Sequence, residues 1–163
     1  MRRSTAVHLM AVVVVAGSFA VSSAVPAGAV VKGATCTKAT FKTDLKKFTS
    51  TSVISGCTNV AATGGTGTLV ANFKDLKKIT AKITWKGKGT TSYTVTQEVG
   101  PAAANKCKVV KGKKDILIVS TGKFVSGTGV ALASFKGTTY IESLCVTTTS
   151  STYLNPGSKI VFK

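Results

Sequence analysis

The chain has almost no side chains of the kind catalytic sites are built from. His8 is its only histidine, and Arg2 and Arg3 are its only arginines, so none of either follows residue 8. Serine- and cysteine-type triads therefore lack their imidazole base. The bidentate guanidinium fork that matches phosphate geometry is missing too. Carboxylates are nearly as scarce: only Asp44, Asp75, Glu98, Asp115 and Glu142 occur. No spacing brings two of them to one cleft, as glycoside hydrolysis requires, and none cluster as in a calcium loop. Asp75 and Asp115 lie among lysines, where surface ion pairs are expected. Glu142 falls on the same strand side as Tyr140 and Leu144, which makes it the acid most open to partial burial; an exposed or paired role is the expectation. Ser120-Thr121-Gly122-Lys123 matches the first penicillin-interacting motif, but its two companion motifs are absent and the chain is too short for that fold. There is no P-loop. The expectation is a protein that is not an enzyme and carries no cofactor or metal.

Long apolar runs are absent as well. The one apolar stretch, Leu9 to Val21, falls short of the roughly 20 residues a membrane span needs. It follows Arg2-Arg3 and leads to Ala27-Gly28-Ala29, the order of a secretory signal with small residues at its cleavage site. Residues 1–29 are expected to be removed, leaving one secreted domain over residues 30–163, extracellular or wall-associated. Ser4-Thr5-Ala6 does not continue a twin-arginine signal, and Gly33-Ala34-Thr35 before Cys36 is a poor lipidation signal.

Export gives the four cysteines a meaning, because disulfides persist in oxidising compartments. Cys36, Cys57, Cys107 and Cys145 are too widely spaced for a zinc site, which normally draws two ligands from within a few residues. Of the three possible connectivities, Cys36–Cys57 and Cys107–Cys145 close the shortest loops and are expected.

What the chain does have is lysine and threonine: 20 and 24 of them, respectively, beyond residue 29. Losing Arg2 and Arg3 with the leader lowers the net charge from +17 to +15. Threonine, valine, isoleucine and glycine favour strands and turns. Alternation is clearest in Lys78 to Lys86, where Ile79, Ala81, Ile83 and Trp85 share one face and Lys78, Thr80, Lys82, Thr84 and Lys86 the other. Residues 68–73, 92–96 and 159–163 alternate similarly. Ile116-Leu117-Ile118-Val119 reads as a strand covered on both sides. Further strands are expected around 36–42, 48–55, 129–135 and 139–147, with one helical turn begun by Asp44. Loops are marked at 61–65, 100–105 and 155–157. The expected fold is all-β: a single β-sandwich, Ig-like or jelly-roll-like, of about 8–10 short antiparallel strands with two disulfides, and a closed barrel as the second choice. Trp85 to Thr91 echoes Phe135 to Thr139, an echo expected of β-hairpins in a Lys/Gly/Thr-rich chain rather than of a duplication.

Three segments carry a resemblance: Ser55-Gly56-Cys57-Thr58 after a Thr/Ser strand, Ile83-Thr84-Trp85 before a glycine-rich turn, and Leu144-Cys145-Val146 near a final strand at Gly157 to Phe162. With these the chain resembles a loose group of small secreted proteins of actinobacteria, a likeness that implies secretion, β-structure and cysteine pairing. The composition and two disulfides are also similar to secreted Ig-like chromoprotein apoproteins. The cysteine spacing differs from their short disulfide loops, so nothing is carried over.

Two functional expectations follow. Lys78, Lys82 and Lys86 project from one strand face, with Lys74, Lys77 and Lys88 nearby, and Lys106, Lys108, Lys111, Lys113 and Lys114 surround Gly112. Such surfaces attract polyanions by counterion release: anionic wall polymer, acidic polysaccharide, extracellular nucleic acid or anionic lipid. The same lysines also keep sheet edges from aggregating. The alternative is a small-ligand-binding or protease-inhibitor-like module, working through a pocket or a loop such as Gly100 to Lys106. A contiguous lysine face without a cavity favours the first, and a deep apolar pocket favours the second.

Overall fold

The computed structural model describes residues 30–75, 77–110, 112–147 and 151–163. The leader assigned to residues 1–29, and Lys111 of the second lysine cluster, lie outside the described residues. The strands are β1 (Ala34–Asp44), β2 (Thr49–Cys57), β3 (Thr66–Asn72), β4 (Ile79–Trp85), β5 (Gly89–Val99), β6 (Val109–Val110), β7 (Lys113–Lys114), β8 (Ile116–Gly127), β9 (Thr139–Val146), β10 (Thr152–Leu154) and β11 (Ile160–Phe162). Two short helices, α1 (Val60–Thr63) and α2 (Gly129–Phe135), join β2 to β3 and β8 to β9.

β1 to β5 pair in sequence order, β5 continues to β8 and β8 to β9. β9 then pairs with β11, and β11 returns to β1 through Ala34↔Phe162 and Cys36↔Ile160. The ring is an antiparallel eight-stranded barrel. β10 lies on the same side of β9 as β11, farther along it, and more chain separates Leu154 from Val161 than separates their partners Leu144 and Ile141. The two short strands thus act as one interrupted stave.

The sandwich expected first is therefore corrected to the barrel. Alternating burial looks the same in either architecture. What differs is whether the outermost strands find each other, and here the strand twist brings β11 onto β1 and leaves no open edge in the ring. The strand expected over 129–135 is also corrected, since α2 forms there. Ala131, Ser134 and Phe135 are its buried residues, an i, i+3, i+4 set that fits one helical face. Residues 45–48 form a turn rather than a helical turn, with the Asp44 carboxylate accepting the backbone N–H groups of Lys46 and Lys47 at 3.0 and 3.1 Å. The echo between residues 85–91 and 135–139 is not a structural repeat: the first is the β4–β5 hairpin, the second the end of α2.

Both disulfides join as expected, Cys36 to Cys57 and Cys107 to Cys145. Cys36 and Cys57 face each other across the β1–β2 ladder. Cys145, by contrast, is on the outer side of β9, since Tyr140, Glu142, Leu144 and Val146 alternate toward the interior. There Cys107, Cys145, Leu117 and Tyr153 form a small second core outside the barrel wall. This explains the β8 run: Ile118 lines the interior while Leu117 is buried under the β5–β8 connection, leaving Ile116 half exposed.

One end of the barrel is plugged. Trp85 stacks on Phe135 with centroids 4.9 Å apart, and Phe162 meets both rings edge-on. Tyr93, Tyr140 and Phe124 extend the cluster. Gly67 and Gly122 make room for it: a Cβ on Gly67 would lie 2.9 Å from the Trp85 ring, and one on Gly122 2.9 Å from the Tyr140 ring. Small residues opposite large ones let the rings fill a narrow interior. The Trp85 indole N–H donates to Thr91 Oγ1 at 3.0 Å, satisfying a fully buried donor. α2 caps this end, held by bonds from Ala131 N to Lys88 O and from Gly33 N to Ser134 O, each 2.9 Å.

Candidate functional site

At the opposite end the barrel interior is not filled. A cavity of about 190 Å³ opens where β1 and β3 end and β2 and β4 begin. Leu69, Ala71, Ile79, Ile118, Leu144 and Val146 form much of its wall, with Phe41 and Phe73 toward the rim. The space exists because this half carries short inward side chains, such as Ser50, Ser52 and Ala71, while most of the inward-facing rings are spent on the plug.

The cavity has a polar floor. Along β9 the inward residue next to Tyr140 of the plug is Glu142, only 6 % exposed. The Tyr140 and Ser120 side chains lie close enough to its carboxyl to favour the ionised form. Ser120 is its direct cross-strand partner on β8. Ser120 Oγ in turn accepts from Gln97 Nε2 at 3.2 Å, with Gln97 paired to Ser120 from β5. A chain of polar groups therefore runs from the exposed Gln97 to the buried acid. Oε2 of Glu142 is buried without a hydrogen-bond partner among the described residues. Burial pushes the Glu142 pKa up to about 7, against the opposing pull of the neighbouring Tyr140 and Ser120 hydroxyls. Burial, reinforced by Glu142, holds the Tyr140 hydroxyl well above the ordinary phenol range. Unsatisfied buried polar atoms are rare in folded proteins and call for an explanation.

The expectation that Glu142 is exposed or ion-paired is thus corrected: it is buried, and no lysine among the described residues lines the cavity it faces. The surface ion pair expected for Asp115 is corrected too. Asp115 is buried and accepts the Tyr153 hydroxyl at 2.8 Å. Asp75 is exposed and accepts the Lys77 backbone N–H at 2.9 Å. The salt bridge among the described residues is Lys47–Asp44, at 3.9 Å.

Lys78, Lys82 and Lys86 are exposed on the outer face of the β4 stave, with Thr80 and Thr84 between them, as the alternation indicates. This face is the reverse of a lipid-facing strand, which is apolar outward. Successive lysines stand about 13 Å apart, four residues at roughly 3.3 Å each. Lys74 lies beyond the open end of β4, and Lys88 sits half-buried in the turn at the plugged end. The second group stands on a different wall. Lys113 and Lys114 form β7 of the outer hairpin, whose base is pinned by Cys107–Cys145 and by Tyr153 to Asp115. Lys114 Nζ donates to the Asn105 carbonyl, and Lys108 Nζ lies 5.6 Å over the Tyr153 ring.

The Gly100 to Lys106 loop is strapped down at several points. Gly100 N–H donates to Leu117 O at 2.9 Å, Asn155 Nδ2 donates to Ala104 O at 3.0 Å, and Lys106 N–H donates to Asn155 Oδ1 at 3.0 Å. The β5–β8 connection consequently lies along the outer wall and leaves the mouth open. Comparison with protein-family models, with curated proteins and with solved structures finds no match to this chain. No helix among the described residues is long and apolar enough to cross a membrane. The two disulfides point to an oxidising, extracellular type of environment.

Proposed function

We propose that this protein is a secreted, non-catalytic binding module that takes a small, largely apolar molecule into the open end of its barrel. The observation that carries this reading is the barrel interior itself: plugged by stacked rings at one end and left as an apolar cup of about 190 Å³ at the other. Eight-stranded barrels are just wide enough to be filled by side chains or to hold one small ligand. A 150 Å³ apolar cavity accepts benzene, so this cup suits one ring with a short substituent, well below the roughly 300–1,000 Å³ of drug-sized sites. Secretion is supported by the leader composition, by the disulfides, and by the resemblance to small secreted actinobacterial proteins. Ligand-observed NMR and thermal unfolding with toluene and indole test the reading. Binding is expected to the wild type and to be lost in Ala71→Phe, which fills the cup; failure of both compounds to bind overturns it.

A second reading concerns the outer wall. Lys78, Lys82 and Lys86 form an acid-free exposed row, which supports non-specific association with anionic wall polymer, acidic polysaccharide or extracellular nucleic acid. Retention on such polymers should fall steeply between about 50 and 200 mM salt. The K78Q/K82Q/K86Q variant should flatten that dependence while keeping the wild-type fold. No retention of the wild type at 150 mM salt, with aggregation of the variant, would show instead that the lysines serve solubility.

A further inference from the structure

We infer that the cup is a site for a compact, protonated amine, with the ammonium group pairing with the Glu142 carboxylate at the floor and the hydrocarbon part against Leu69, Ile118 and Leu144. The inference rests on the small-ligand reading above and deepens it by naming the ligand class. Its geometric basis is a carboxyl that lines the cavity, is 6 % exposed, and keeps one oxygen buried without a hydrogen-bond partner among the described residues. A carboxylate in an apolar site is stable only when paired and hydrogen-bonded. Among the described residues, the polar groups beside Glu142 are Tyr140 on its own strand, Ser120 on β8 and Gln97 beyond Ser120 on β5, and none of these is cationic. Among the described residues lining the cup, Glu142 is the one with an ionisable side chain. When this acid ionises, no described residue lining the cup supplies a cation, so the one that pairs with it would arrive with the ligand.

The lysine coat makes the assignment testable in an unusual way. Lysines repel an incoming cation over distances on the order of the Debye length, about 8 Å at physiological ionic strength. A contact at the buried floor is screened far less. Added salt should therefore strengthen amine binding, or leave it unchanged, whereas binding of an anion held by exposed lysines such as Lys46, Lys74 or Lys78 would weaken. Glu142 must be ionised to receive the ammonium. With its pKa near 7, affinity should rise about tenfold per pH unit from pH 5 toward 7 and level off above, with proton release on binding in the lower range.

Isothermal titration calorimetry and ligand-observed NMR with benzylamine, toluene and benzoate on the full barrel test the proposal. The expected result is that benzylamine binds more tightly than toluene at pH 8 and loses that advantage at pH 5. In Glu142→Gln, benzylamine should fall to the level of toluene at both pH values. Should that variant fold poorly, proton release by the wild type, measured in buffers of different ionisation enthalpy, reads the same linkage. If toluene binds while benzylamine binds no better and releases no proton, the amine assignment is overturned and the small-ligand reading stands. If benzoate is preferred and weakens with salt, exposed lysines hold the ligand and the assignment is overturned. If none of the three binds, both readings fall.

Discussion

Replacing Glu142 with glutamine should make the protein more stable at pH 8 than at pH 5, relative to wild type. The buried carboxyl has its pKa raised from 4.5 to about 7. Between those values the unfolded chain has released this proton and the folded chain still holds it, so the folded state binds more protons and stability falls as pH rises. Below the unfolded value the group makes no difference between the states; above pH 7 the full cost is present. At about 1.4 kcal/mol per pKa unit, the cost of folding with this acid grows by roughly 2 to 3 kcal/mol from pH 5 to pH 8. Glutamine keeps the shape and does not titrate, so the wild-type-to-variant difference should move in the variant's favour by that amount, equivalent to roughly 10 °C in melting temperature for a domain of this size. The assay is urea unfolding of both proteins at pH 5, 6, 7 and 8, with Trp85, the chain's single tryptophan, as the fluorescence probe. Taking the difference between the two proteins cancels every other titrating group. Parallel stability profiles across this range would refute the reasoning, because they would mean that the Glu142 carboxyl ionises in the folded state as freely as in the unfolded one.

Removing the second disulfide as C107A/C145A should cost about 4 kcal/mol, from loop closure over a sequence separation of 38, and hydrogen exchange should show loss of protection in residues 101–115 before the barrel strands; equal loss throughout would show that this bridge holds the barrel itself. Thr91→Val keeps its volume but strands the Trp85 indole N–H in the plug, costing roughly 1–3 kcal/mol in urea unfolding; an unchanged midpoint would mean that the indole finds another acceptor. The exported protein should begin at Val30, read by intact mass from a culture supernatant, and a membrane fraction still carrying residues 1–29 would contradict the cleavage site.

How far the sequence carries depends on whether a feature is local. The β4 stave is legible residue by residue: Ile79, Ala81, Ile83 and Trp85 are all buried and the lysines and threonines between them exposed, because period-two burial is a property of nine consecutive residues. The Cys36–Cys57 pairing is legible for the same reason, since the cysteines face each other across adjacent strands. Barrel closure is not, because it rests on Ala34 meeting Phe162, a contact between the two ends of the domain that no local pattern encodes. α2 was readable in principle from the spacing of Ala131, Ser134 and Phe135, but seven β-compatible residues between glycine turns carry too short a period to separate helix from strand. The acid at the cup floor is the sharpest case. Sequence places Glu142 on the side of Tyr140 and Leu144, yet the propensity of a carboxylate for water argues against burial. Only the cross-strand partner, Ser120, and the missing ring above it explain why it stays inside.

The division of the barrel into two unlike ends follows from where the bulky residues fall. Trp85, Phe135, Phe162, Tyr93 and Tyr140 gather beside both helices and near the Cys36–Cys57 bridge, so one end carries most of the dense packing. The open end instead has short side chains inside and its long connection pinned outside by Cys107–Cys145, Asn155 and Tyr153. An open apolar cup would normally be closed by whatever loop is nearest, since exposed apolar wall is costly at roughly 25 cal/mol per Å². Here the nearest long loop is covalently committed to the other side of the wall. The second disulfide thus fixes the β5–β8 connection against the outer wall of β8 to β10, away from the residues that line the cup.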